Sequence, residues 1–310
     1  MIKEVCIISD VHDWHSNQIC QSLNSQNIRV KKSKFSDFFV KITNKNISFF
    51  YLKEIFKSQS VWVRFIDGGT IEEITHKLSI LHLMKALGIY VHNNASIIEK
   101  TVDKFMCSAL FSINKILTPK TFVFSSQKKF REIIFKQLER GPLLLKPIFG
   151  SQGKGIYIIK NKEDLESKIK FQKISYLQEF IGDIENKKFS DIRVMVSNHK
   201  VVYAVKRTSQ KFITNAFLGS DLKKITISKE LNNISKKISK IFNLGYGGLD
   251  FIFFKEKYYL LEINSIPSWK ASQKVLTNSI TETLVNDFLR LSNLNLGSRV
   301  INELHTFGFG

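Results

Sequence analysis

With 310 residues, 43% of them hydrophobic and 24% charged, the chain has the length and balance of a soluble globular protein of two or three structural units. No run of about 18 apolar residues occurs, which excludes a membrane-spanning helix, and the N-terminus MIKEVCIISD lacks the order of a signal peptide. The 47 Lys+Arg against 27 Asp+Glu, net +20, indicate either an anionic partner or only a Lys-, Asn-, Ile- and Phe-rich composition. The lysines lie in ones and twos rather than in a block, so nucleic acid is not indicated.

In chain order, Val5–Ser9 reads as a buried strand, 17–24 as a helix, and segments near Ile28–Lys31 and at Val61–Phe65 as further strands. Ile74, Leu78, Leu81 and Met84 recur at helical spacing through 72–87, and Gly88 reads as the glycine that ends that helix. A strand at 89–91 and a helix after Asp103 follow. This alternation predicts a parallel sheet with helices on its faces. From Thr121 the texture becomes α+β. Strands are predicted at 121–124, 143–146, 156–160 and 176–181, with helices over 128–139 and 163–168. A meander around Arg193 and Val202 leads to a helix over 229–242, a hairpin 249–263 and a last helix over 282–291.

The hairpin GGLDFIFFKEKYYLLEIN carries the strongest chemical signal. A turn centred on Glu256 places Asp250 opposite Glu262, and Asn264, two residues on, shares the face of Glu262. Two carboxylates and an amide at one end of an apolar hairpin are hard ligands suited to Mg²⁺ that also bridges phosphates. The loop Gly150-Ser151-Gln152-Gly153-Lys154-Gly155 sits between two strands and either cradles phosphate with its backbone or is an ordinary turn. Lys146 would reach the same phosphates. The loop is neither a P-loop nor a dinucleotide fingerprint, because no Ser/Thr follows Gly153-Lys154 in the required place and no helix pattern opens there. Gln178-Glu179-Phe180-Ile181 is an ordinary strand end or an edge offering main-chain groups to adenine. Arg207 is a surface residue or a bidentate partner for a carboxylate or acyl phosphate.

Ser9-Asp10-Val11-His12, with Asp13 and His15, resembles the opening of metallophosphoesterases, but the downstream Gly-Asp and Gly-Asn-His segments are missing. The remaining histidines have no ligand spacing. Cys6, Cys20 and Cys107 are scattered, which points to a reducing cytoplasm.

The ordered set Asp103-Lys104, Lys146-Pro147, Gly150–Gly155, Gln178–Ile181, Asp191-Ile192-Arg193, Arg207, Ile213-Thr214-Asn215, Gly248-Leu249-Asp250 and Glu262-Ile263-Asn264 resembles RimK-type ATP-grasp carboxylate–amine ligases over about residues 90–290. Trp14-His15, Arg64 through Gly69-Thr70, and Asn264–Trp269 bring the chain closer to the RimK-like ligases encoded with tetrahydromethanopterin biosynthesis in methylotrophic bacteria.

The resemblance implies a Rossmann-like (pre-ATP-grasp) α/β domain over 1–100 and a two-lobed α+β ATP-grasp domain, with a small lobe over 101–182 and a large lobe over 183–310. Its implied roles are Lys104 and Lys146 on the nucleotide phosphates, Glu179, Phe180 and Ile181 around adenine, and Asp191 at the ribose. Asp250, Glu262 and Asn264 would hold Mg²⁺ (or Mn²⁺), and Arg207 and Asn215 would stabilise an acyl phosphate. The implied reaction joins a substrate carboxylate, on an anionic small molecule such as a pterin cofactor precursor, to an amino acid, glutamate foremost. The alternatives are glutamate addition to a protein C-terminus or a non-catalytic nucleotide-binding protein. Nucleic acid and membrane are not expected partners, and a homo-oligomer is. Alanine at Asp250 or Glu262 is expected to abolish ligation and spare the fold.

Overall fold

The computed structural model describes residues 2–306 apart from 126–127, 151–152, 170–172 and 216–218. The first stretch runs β1 (Glu4–Ser9), α1 (Trp14–Asn24), β2 (Arg29–Ser33), β3 (Phe38–Ile42), β4 (Ile47–Tyr51), β5 (Glu54–Ile55), β6 (Ser60–Phe65), α2 (Ile71–Ala86), β7 (Tyr90–His92) and α3 (Ala95–Val102). Strands β2-β1-β6-β7 form the parallel sheet that the alternation predicts. Val5 to Ser9 of β1 are all buried, as a parallel strand covered on both faces requires. Helix α1 starts three residues earlier than its apolar spacing suggests, because the Asp13 carboxylate caps it by accepting from Ser16 N at 2.9 Å. Gly88 adopts φ +79° after α2, the left-handed turn expected of it. Between β2 and β6 the chain makes an antiparallel meander, β3-β4-β5, that the sequence reading did not anticipate. Its Phe38, Phe49 and Phe56 pack into the core of the parallel sheet.

The second stretch is α4 (Lys104–Ile113), β8 (Thr121–Ser125), α5 (Lys128–Leu138), β9 (Leu143–Lys146), β10 (Tyr157–Ile159), α6 (Lys162–Ile169) and β11 (Ile174–Glu179). Its sheet is antiparallel, in the order β10-β9-β11-β8.

The third stretch is β12 (Phe189–Ser197), β13 (Lys200–Ser209), β14 (Asp221–Lys224), α7 (Lys229–Ile241), β15 (Tyr246–Phe254), β16 (Lys257–Asn264), α8 (Lys270–Gln273) and α9 (Ile280–Thr306). Here the sheet order is β14-β13-β12-β15-β16. One face, with Val194, Ala204, Leu249, Phe251 and Leu260, packs on α4 and α7 residues. The other, with Met195, Tyr203, Val205 and Tyr246, packs against Trp62, Trp269 and Phe288.

Helix α9 reaches back to the first stretch of the chain. It is far longer than the predicted 282–291, and it packs on α1 and β7 of the first stretch as well as on the third sheet, which it follows in sequence. Asn93 ties the same two regions together. Its amide donates to Tyr246 O at 2.7 Å and Ser265 O at 2.8 Å, and its Oδ1 accepts from Gly245 N at 2.8 Å.

Candidate active site

Asp250 and Glu262 do face each other across β15 and β16, but by a different route from a turn centred on Glu256. The loop is the two-residue Lys255-Glu256, with φ +47° and +60°, closed by the Phe254–Lys257 pair. Those angles are those of a type I′ turn. That turn alone would set Leu261 against Asp250. A bulge between Asp250 and Phe251 shifts the ladder, so Phe251 pairs with Leu260 and Asp250 with Glu262. Asn264 pairs with Gly248 two residues on, and its Oδ1 accepts from Ile266 N at 3.0 Å.

Strand β12 runs beside β15 and sets Arg193 against Asp250, and Asp191 against Arg207 of β13. Both carboxylates are gripped by the Nε/Nη2 edge of an arginine. Arg193 donates to both oxygens of Asp250 (2.6 Å from Nη2 to Oδ2), and Arg207 to both oxygens of Asp191 (2.7 Å from Nε to Oδ1). Arg207 also lies 3.0 Å from Asp250 Oδ2. Two acids and two arginines thus form one balanced row, with Asp191, Arg207 and Asp250 at most 7% exposed. Burial by itself would raise the Asp250 carboxyl, but Arg193 and then Arg207 outweigh it and hold it well below the usual carboxylate range.

Arg193 has no role in the sequence reading. Its signal was present, since strand alternation puts it on the face of Asp191 two residues away. Asp191, expected at a ribose, instead has both oxygens engaged by Arg207 inside the sheet. Arg207 is likewise a buried member of this row and not a surface arginine.

Glu262 differs from its neighbours. Among the described residues its carboxylate makes no hydrogen bond or ion pair, and burial, then the adjacent Asp250, push its pKa upward. Lys104, Arg193 and Lys146 pull the other way without prevailing. Lys146 ends β9 and donates to Gln178 Oε1 at 2.6 Å, while Lys104 opens α4 and donates to Gly150 O at 2.8 Å. Burial lowers both lysines, Lys146 to about 8 from 10.5. The second and third sheets therefore meet at Lys104, Lys146 and Glu262.

The glycine loop begins beside this meeting point, where Gly150 O accepts from Lys104. Gly153 has φ +75°, and a Cβ there would lie 2.5 Å from Ile213 Cγ2 and 3.3 Å from Asn215 Nδ2. The loop thus closes onto the segment after β13. Gly155 follows beside Pro147, and Lys154 points into solvent. Ser151 and Gln152 lie outside the described residues.

The adenine expectation needs correcting in one respect. Strand β11 is not an edge, because β9 and β8 flank it on both sides. The Glu179 and Phe180 N–H groups already donate to Lys120 O at 2.8 Å and Pro142 O at 3.1 Å. Among the described residues only Ile181, past the strand end, keeps a main-chain donor in this segment with no partner.

Residues 101–288 match the family model described as a RimK-like ATP-grasp domain. The chain belongs to the RimK-like ATP-grasp family. It is a ligase of that family. The chain is similar to the tetrahydromethanopterin:alpha-L-glutamate ligase of Methanococcus maripaludis, at 29% identity over 91% of this chain and 97% of the relative. It is also similar to the coenzyme gamma-F420-2:alpha-L-glutamate ligase of Methanocaldococcus jannaschii, at 30% identity over 70% and 78%. Its ATP-grasp fold is that of the ligase PsnB complexed with minimal precursor (TM-score 0.73, 16% identity, 92% and 97% covered). The RimK domain protein from Sphaerobacter thermophilus shares it too (TM-score 0.66, 13% identity, 92% and 98% covered).

Among the described residues no helix is long and apolar enough to cross a membrane. All three cysteines are buried free thiols.

Proposed function

We propose that this ligase uses ATP to activate an acceptor carboxylate as an acyl phosphate and joins it to the α-amino group of glutamate, on a pterin-type acceptor. The observation that carries the reading is the Glu262 carboxylate, without a hydrogen bond or ion pair among the described residues, beside Asp250 and within the field of Lys104 and Lys146. Phosphoryl transfer needs this kind of converging charge more than it needs covalent help.

A divalent cation fits the residues present. Two adjacent carboxylates, one without a partner among the described residues and pushed upward in pKa, would lower their mutual repulsion by sharing Mg²⁺. Among the described residues no three acidic, His or Cys side chains cluster as a complete metal cage. That suits a cation whose remaining ligands are water and phosphate oxygens. Glu262 would hold it together with Asn264, whose Oδ1 accepts one hydrogen bond. Asp250 would add its negative charge beside them, its oxygens already engaged by Arg193 and Arg207. Mg²⁺ supplies charge neutralisation at the transferring phosphoryl group. Lys104 and Lys146 bind the phosphates, and Ile181 N–H meets adenine. Arg207 and Asn215 face the acyl phosphate, under a glycine lid that excludes water.

In this reading residues 1–100, with α9 folded back on them, form the Rossmann-like domain; 101–182 and 183–279 are the two lobes. The buried thiols suit a cytoplasmic protein.

Glutamate is preferred because both relatives are named for it, and a pterin acceptor because the relative of 29% identity, matched over 91% of this chain, is named for tetrahydromethanopterin. The test is ADP release with ATP, Mg²⁺ and L-glutamate, adding tetrahydromethanopterin, a peptide ending in glutamate, or no acceptor. Release with tetrahydromethanopterin, and a product heavier by one glutamyl residue, is expected. Release only with the peptide would reject the pterin acceptor.

Lys146 gives ATP binding a pH dependence. Its pKa of about 8 means that half of it has lost its proton by about pH 8, and a bound phosphate would restore the proton. The ATP Kd is therefore expected to rise above pH 8, by at most about tenfold per pH unit. Lys146→Arg should remove that rise; a wild-type Kd flat to about pH 10 would contradict it.

A further inference from the structure

The carboxyl ends of β1 and β6 form the topological switch point of the parallel sheet, because the chain leaves β1 for β2 on one side and returns to β6 on the other. Ligands in open sheets of this kind bind in the crevice outside those strand ends. One residue there stands out chemically. Arg64, on the face of β6 shared with Trp62, is 3% exposed, yet it has no carboxylate partner among the described residues. Its guanidinium carbon sits 5.0 Å above the Trp269 ring, and Nη1 donates to Tyr246 OH at 3.5 Å. Nε is buried without any hydrogen bond, and no bond from Nη2 is found among the described residues. The Nε/Nη2 edge is the one that Arg193 and Arg207 each fill with an aspartate.

The acids nearby are already committed. Asp13 accepts from His15 Nδ1 at 2.6 Å and from Ser16, and Asp10 takes Lys77 at 3.2 Å with Phe35 N and Asp67 N. His15 Nε2 in turn accepts from Trp269 N at 3.0 Å and Lys270 N at 3.2 Å, fixing the segment that follows the Asp250–Glu262 hairpin against the start of α1. His15 makes edge contacts with both Trp14 and Trp269. Lys270 adds a second cation 6.0 Å from the Trp14 ring. Arg64 helps to hold the Asp13 carboxyl low, but only through space, and among the described residues no carboxylate touches its guanidinium. A buried arginine with no carboxylate in contact is costly to hold, and an incoming oxyanion lowers that cost.

We infer that Arg64, with Lys270 beside it, receives a second oxyanion of the acceptor, a carboxylate or phosphate distant from the carboxylate that is activated. Tyr246 and Asp250 lie four residues apart on β15, or about 13 Å at strand spacing. The acceptor is therefore an elongated polyanion, and a simple amino acid is too short to reach both ends. The inference rests on the ligase reading for the word acceptor; the anion site itself does not depend on turnover.

The test is a titration of tryptophan emission, without nucleotide, using inorganic pyrophosphate in one arm and glutarate in the other. Trp14 and Trp269 report directly from the site. A saturable change is expected in wild type with at least one probe, and the tighter arm identifies the group. Arg64→Gln should raise that Kd at least tenfold, whereas Lys146→Gln, in the nucleotide region, should leave it unchanged. If Arg64→Gln does not fold, Arg64→Lys keeps the charge but loses the fork, and a Kd raised fivefold or more is expected. No saturable change in wild type, or equal binding by the Arg64 variant that folds, overturns the site. A protein that fails to release ADP but passes this titration refutes the ligase reading alone.

Discussion

Glu262→Gln is expected to lower kcat by about a thousandfold or more while leaving stability unchanged or slightly higher. The catalytic loss follows from the proposed role, since removing a single electrostatic contributor to phosphoryl or acyl transfer costs about two to three orders of magnitude, and Glu262 is proposed to hold the cation. The stability sign follows from the carboxyl's surroundings. Burial and Asp250 raise its folded pKa above the ordinary 4.5, so the folded state holds this proton more tightly than the unfolded chain does. Its contribution is full below about pH 4.5 and is lost as pH rises through the raised value. Glutamine has no such loss, so the variant's melting temperature relative to wild type should climb as pH rises above 4.5. Near-normal turnover, or a melting temperature that falls further behind wild type with rising pH, would refute the assignment. Asp250→Ala should behave in the opposite way on stability, contrary to the sequence expectation, because it leaves two buried arginines facing one aspartate.

The Asp250–Glu262 pairing was legible in the sequence, although the turn that makes it was not. Lys255-Glu256 lacks the Gly or Asn that marks a type I′ turn, and both residues accept a left-handed conformation. The bulge is equally silent in the sequence, since an extra Leu261 in an apolar strand looks like any other. The two features offset each other, so a turn misplaced by half a residue still gave the true pair. Strand β14 was missed because Asp221-Leu222-Lys223-Lys224 has no apolar alternation; it is an edge strand held by β13 alone. The meander β3-β5 was missed because a parallel sheet leads one to expect a helix in that crossover. The arginines were the largest gap. A sequence shows an arginine as a charge with a default place in solvent, and only strand register shows that Arg193 and Arg207 each have an aspartate directly opposite.

Arg207→Met is the substitution expected to damage the fold most, by about 3–5 kcal/mol, the range for breaking a buried pair from one side. Asp191 would lose both of its hydrogen bonds and Asp250 one of its two cations, within a row that is almost fully buried. Against a total stability of about 5–15 kcal/mol this is a large fraction. The cost belongs to the stranded charges and not to the missing bonds, and that distinction can be measured. Arg207→Met with Asp191→Leu removes one cation and one anion together and leaves Arg193 paired with Asp250. The double variant should recover most of the loss, to within about 1–2 kcal/mol of wild type, in urea unfolding followed by far-UV dichroism. Ligation should stay absent in both variants, because Arg207 is also proposed to meet the acyl phosphate. A single variant that loses less than about 1 kcal/mol, the size of an exposed pair, would mean that Arg207 is solvated and that the row does not carry the sheet. A double variant no better than the single would instead assign the energy to packing of the guanidinium stem against its neighbours.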